Sequence, residues 1–157
     1  IFINSIGGLG SPFWRDDIVP EFIWPAGSRH QSQNEQQLNK LKMLAVIESV
    51  VFLIVINIEQ LNDISEKSAK HIIVSGGLSQ FNILMQLLAD LSKLKVTRFD
   101  QQQATALGAL WFLCDKPQNW RELEQKTHIS ARPNTILKQR YQLWLKEIRQ
   151  LTLSSTF

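Results

Sequence analysis

Apolar and polar positions alternate along this chain in blocks whose periods predict a mixed α/β arrangement. Ile1 to Ile6 is mostly apolar and reads as a strand. Gly7-Gly8-Leu9-Gly10-Ser11-Pro12 is a glycine-rich loop, followed by Phe13-Trp14 and a polar turn through Asp16 and Asp17. Glu21 to Trp24 reads as a second short strand, ended by Pro25. Residues 26–37 are polar and aperiodic, a loop in which His30 reads as a solvated residue. From about Gln37 to Leu61 a stripe of Leu41, Ala45, Glu48, Phe52, Val55 and Ile58 recurs at steps of three and four, which predicts a long helix.

The second half repeats the alternation. Asn62 to Lys70 is a polar connection, and Ile72-Ile73-Val74 reads as a buried strand. Ser75-Gly76-Gly77 is a turn that glycine makes easily. A helix is expected from Ser79 to about Ser92, with Phe81, Leu84, Leu88 and Leu91 on one face. Lys95 to Phe99 alternates as a strand, and Asp100 is placed to cap a helix from Ala104 to Cys114. Gly108 inside that helix costs about 1 kcal/mol against alanine, which points to a close approach of another backbone. Residues 115–132 read as a connector around a short helical piece, Trp120 to Lys126. Pro133 starts a last helix to about Leu151, with Tyr141, Trp144, Leu145 and Ile148 inward and Lys138, Arg140, Lys146 and Arg149 outward.

Composition narrows the function classes. The 157 residues are 44% hydrophobic and 20% charged, which fits one compact soluble domain. A net charge of +3, with scattered basic residues, gives little support to a nucleic-acid partner. The apolar run 45–58 is shorter than the roughly 20 residues of a membrane span and contains Glu48, so a buried core helix is the better reading. A single Cys114 excludes an internal disulfide framework and suits a reducing, cytoplasmic compartment. One Cys and three His, none at ligand spacing, argue against a structural zinc site. The chain begins at Ile1 without a leader-like segment and reads as a piece of something longer.

Two features carry candidate chemistry. A strand turning at Gly76-Gly77 into a helix N-terminus is an anion site in outline, since unpaired amides and the helix dipole favour negative charge. It has neither the GxGxxG spacing nor a following GK[ST]. Glu48 lies within an apolar stripe, where a carboxylate needs hydrogen bonds. It reads first as a structural acceptor tying a neighbouring loop to the helix, with a general base, a metal ligand or simple exposure as alternatives.

Four blocks, in order, resemble the C-terminal domain of FGGY-type carbohydrate kinases, most of all the glycerol-kinase-like branch. FINSIGGLGSPFW (2–14) resembles the family's segment with a Gly-Leu-Gly-Ala-Pro-Tyr-Trp core. AVIESVVF (45–52) is similar to its Ala-x-Leu-Glu helix, and residues 74–90 to its Gly-Gly nucleotide loop and following helix. ATALGAL (104–110) resembles its Thr-Ala-Leu-Gly-Ala-Ala segment, and Arg140-Tyr141 with Trp144 its last helix. The resemblance implies an actin-like ATPase, ribonuclease H-like fold, a mixed sheet flanked by helices. It implies that residues 1–157 are a single domain, most of the nucleotide-binding lobe of a two-domain kinase using ATP and Mg2+.

Gly76, Gly77, Gln80 and Phe81 would then contact the nucleotide, with Glu48, Ser75 and Gly108 supporting the loop. No catalytic or metal-binding residue falls in this stretch, because the family's catalytic aspartate and Gly-Thr-Ser loop come before it. The sugar or polyol would be held mainly by the missing lobe. Neither nucleic acid nor membrane is expected as a partner, and a homodimer is possible. Two departures stand out. Phe81 occupies a position where asparagine often contacts the purine, and Pro20 to Pro25 replaces the family's Gly-x-Phe-x-Gly-Leu strand. They keep alternatives open: a degenerate, non-catalytic actin-like domain used for protein contacts, another actin-like ATPase, or an unrelated α/β binding domain.

Overall fold

The computed structural model describes residues 1–24, 34–99, 103–114 and 126–154. They fall into two compact units, one of 1–67 with 134–157 and one of 68–133. His30, the Asp100 cap and the helical piece begun at Trp120 lie outside the described residues.

The first unit is built on a helix pair and a small hairpin. Strands β1 (Phe2–Ile3) and β2 (Glu21–Phe22) pair antiparallel, shorter than their apolar runs suggested. Helix α1 (Glu35–Ser65) starts where the Asn34 side chain accepts from the Gln36 amide and stops at Glu66 in the left-handed region. By length and composition α1 could cross a membrane, which the run 45–58 alone did not suggest. Its inner face nonetheless serves the core of this unit. Val51, Phe52 and Val55 are buried with Phe2, Ile3 and Leu9.

The last helix, α4 (Thr135–Ser154), contributes the apolar face expected of it, extended by Leu137. Phe52 lies 5.3 Å from the Tyr141 ring and 5.6 Å from that of Trp144. Aromatic pairs at this spacing add about 0.5–1.5 kcal/mol beyond their buried area. The end of the glycine-rich loop and the turn after it are tied to the two helices. Ser11 donates to Asn57 Oδ1 at 2.6 Å, and Arg15 donates to the Thr152 carbonyl at 2.9 Å.

The second unit holds a three-stranded sheet in the order β3-β4-β5. Strand β3 (His71–Val74) runs parallel to β4 (Lys95–Phe99), so the chain between them must cross over, and helix α2 (Asn82–Ser92) makes that crossing. Leu84, Met85, Leu87, Leu88 and Ala89 are buried with Val96. Strand β5 (Lys126–Ile129) pairs antiparallel with β4, in a stretch expected to be a connector. Helix α3 (Ala104–Cys114) has the predicted bounds.

The expectation of a buried third strand fails. β3 alternates exposed and half-buried residues, and Ile73 is 65% exposed. The reason is position, because β3 is an edge of its sheet and one of its faces is uncovered within the unit.

Candidate functional site: a glycine turn and the helix behind it

The turn after β3 has a backbone that side chains resist. Gly76 sits at φ 87°, ψ −177°, a region almost confined to glycine. The chain then makes one 3-10 turn, Gly77–Gln80, before α2 begins at Asn82. The helix therefore starts three residues later than its apolar spacing suggested. Phe81 is its N-cap, in extended conformation and 56% exposed, rather than a member of the buried face. Leu84 and Leu88 do face inward as expected, while Leu91 is half-buried.

Local hydrogen bonds fix the turn. The amide of Ser79 donates to the Gly76 carbonyl at 3.2 Å and its hydroxyl to the same oxygen at 2.7 Å. Ser79 is buried, which locks the hydroxyl into this role. The Gln80 side-chain amide donates to Ser79 Oγ at 3.3 Å, so Gln80 braces the turn. From the neighbouring strand, Arg98 donates to Asn82 Oδ1 at 2.7 Å and to the Ser79 carbonyl at 3.4 Å. Arg98 was missed by sequence reading. Its signal was its place at the end of β4, beside the start of the helix.

Space is open on the outer side of the turn. A Cβ built on Gly76 or on Gly77 meets no heavy atom within 4 Å. Ser75 is exposed and Gly76 half-buried. A ligand could thus lie against the main chain here, which is what two successive glycines allow. Among the described residues no group of three His, Cys, Asp or Glu side chains could hold a metal ion.

Two residues expected to support the turn have other surroundings. A Cβ on Gly108 also meets no heavy atom within 4 Å among the described residues, so none of them makes the close approach read from that glycine. Glu48 is almost fully buried, and its carboxylate faces a guanidinium on α4 instead of a loop. Arg140 donates through Nε to Oε2 at 2.8 Å and through Nη2 to Oε1. Arg140 therefore does not belong to the solvated face of α4, because a buried carboxylate in an apolar helix needs a charged donor. Nearby, Tyr141 donates to Glu59 at 2.9 Å. Burial, and then that carboxylate, push the Tyr141 phenol well above its ordinary value.

One polar chain crosses the sheet. Thr97 Oγ1, buried, lies 2.6 Å from His71 Nε2 and 2.8 Å from His128 Nδ1. The two histidines come from β3 and β5, the outer strands, so the missed strand β5 also hid this contact.

Residues 1–114 match the FGGY family of carbohydrate kinases, C-terminal domain. A glycerol kinase from Trichodesmium erythraeum is 33% identical over 108 residues, which cover 69% of this chain and 20% of that protein. A glycerol kinase from Pasteurella multocida is 26% identical over 156 residues, covering 94% of this chain and 30% of its own. Among solved structures, Plasmodium falciparum glycerol kinase with ADP aligns at a TM-score of 0.70 and 18% identity, over 96% of this chain and 30% of that one. A ligand-bound xylulose kinase from Lactobacillus acidophilus aligns at 0.63 and 21%, over 99% and 31%. The chain spans 20% to 31% of the length of these relatives.

Proposed function

The chain belongs to the FGGY family of carbohydrate kinases, in its C-terminal domain, and from that premise we propose that it is the ATP-binding lobe of a sugar or polyol kinase. Its fold is that of the family, an actin-like ATPase with a mixed sheet and flanking helices. The observation that carries the proposal is the turn at Gly76-Gly77. Its backbone takes a glycine-only conformation, and the room a side chain would fill is empty.

ATP fits that cradle. Main-chain amides at Gly77 and beyond would face the nucleotide, and Phe81, exposed at the mouth of α2, would stack on the base. Ser79 and Arg98 hold the turn in shape before the ligand arrives, so little ordering is left for binding to do. Mg2+, which the chemistry of the family implies, would come with the nucleotide phosphates. The whole enzyme would transfer the γ-phosphate to an alcohol of its substrate, with the base and the phosphate loop supplied from outside this chain. The single-domain reading of residues 1–157 and a cytoplasmic location belong to the same proposal.

The reading is tested with the 157-residue chain itself. Titration with ATP should show saturable but weak binding, in the millimolar range that half a cleft allows on the order of −4 kcal/mol. No phosphate should pass to a panel of polyols and sugars. Turnover by this chain alone, or submicromolar affinity, would contradict it.

A degenerate lobe kept for protein contacts is the second reading, favoured by Phe81 in place of the asparagine often found there. ATP failing to bind at any concentration would favour it.

A further inference from the structure

A cleft in the second unit lies along α2 and β5 and leaves the glycine turn out of its lining. It has a volume of about 390 Å³, in the range of small-molecule sites. Asn82 and Gln86 from α2, Arg98 from β4, Thr127 from β5, and Arg132 beyond its end are among the residues that line it. Both formally charged side chains in that lining are arginines, and no carboxylate joins them.

Hydrogen bonds within the unit fix the walls. Gln86 spends its side-chain amide N–H groups on Asp90 Oδ1 at 2.8 Å and the Ser130 carbonyl at 3.0 Å, which ties α2 to the segment after β5. Asp90 Oδ1 also accepts from the Arg132 amide at 2.8 Å, so the nearby carboxylate is already engaged. Arg98 occupies the Oδ1 of Asn82, which leaves that side chain its N–H groups to offer. The Arg132 side chain is exposed, and its guanidinium has no partner among the described residues.

We infer that this cleft binds a small ligand bearing a phosphate group, held by Arg132 and Arg98 with the Asn82 amide. A phosphate offers several acceptor oxygens and up to two negative charges. That matches forked guanidinium donors and an amide better than a single carboxylate does. The cleft is separate from the nucleotide reading of the glycine turn: Arg98 also braces that turn, but no residue of 76–81 lines the cleft.

The probes are inorganic phosphate and pyrophosphate, titrated into the ¹⁵N-labelled 157-residue chain. Saturable shifts are expected at the Gln86 side-chain amide and the Thr127 and Arg132 backbone amides. Arg132→Ala should weaken binding on the order of tenfold, as loss of a charged hydrogen bond does, and Arg132→Lys should recover part of it. The exposed side chain makes no bond to the described residues, so the variant should keep the spectrum of the parent. Acetate at equal concentration should bind more weakly. Equal affinity of Arg132→Ala, equal binding of acetate, absence of saturation, or shifts confined to residues 76–81 would each overturn the assignment. The last result would still leave the glycine turn as an anion site.

Discussion

At the residue scale, the glycines differ in what they do, and substitution separates them. Gly76 needs its backbone freedom, so Gly76→Ala should destabilise by about 1–3 kcal/mol. Gly77 has an ordinary φ and open space, so Gly77→Ala should stay within about 0.5 kcal/mol of the parent in urea unfolding while weakening ATP binding. Equal stability loss at both positions would show that the open space is not there.

Glu48 and Arg140 form a second residue-scale test. Arg140→Met strands a buried carboxylate and should cost about 3 kcal/mol, somewhat less where Arg140 is partly exposed. The double variant Glu48→Met/Arg140→Met should recover much of that, because both charges leave together. Additive losses in the double-mutant cycle would argue against the pair.

Tyr141 gives a pH dependence with a definite sign. Its folded-state value is raised above the ordinary value of about 10. Below that value both folded and unfolded chains keep the phenol proton, and the stabilising effect is fully present. Above it the unfolded chain loses the proton first, so stability falls by up to about 1.4 kcal/mol per pH unit until the folded phenol titrates. The stability advantage of the parent over Tyr141→Phe should therefore be constant from pH 7 to 9 and shrink by pH 11. An advantage that grows with pH would reverse the sign.

At the element scale, legibility followed period and length. α1, α3, α4 and β4 were readable because each has either a long apolar stripe or a clean alternation. β5 was missed because Lys126-Thr127-His128-Ile129 puts its two β-branched residues on one face but alternates them with polar side chains, and no apolar run announces it. Phe81 was misplaced because spacing alone cannot separate the first turn of a helix from the residue that caps it. The same spacing made Leu88 a core residue, correctly. Leu88→Ala should then cost about 2–5 kcal/mol, while Phe81→Ala should cost far less. A comparable loss for both in thermal unfolding would return Phe81 to the buried face.

The site was legible in part for the same reason. The glycine pair and the strand before it can be seen in the sequence, since they are local. Arg98, which reaches the turn from β4, and the Glu48–Arg140 pair, which spans ninety-two positions, depend on packing that no local window contains. Gly108 shows the converse: a residue type that often marks close approach has none from the described residues.

At the scale of the whole molecule, family membership is shown by residues 1–114, and the fold by structures that match this chain almost from end to end. Large apolar side chains stay exposed, among them Phe112 and Leu113 on α3. The proposed reading of the chain as one lobe of a kinase predicts exposed apolar surface of this kind. The central claim is narrower than kinase activity: main-chain amides at the Gly76-Gly77 turn lie against a nucleotide. The most direct measurement is an ATP titration of the ¹⁵N-labelled chain, followed at the Gly76, Gly77 and Phe81 amides, in the parent and in Gly77→Val. The account predicts saturable shifts at these three amides that disappear in the variant while its spectrum elsewhere is unchanged. Shifts that avoid the turn, or that survive a valine side chain placed in it, would contradict the account.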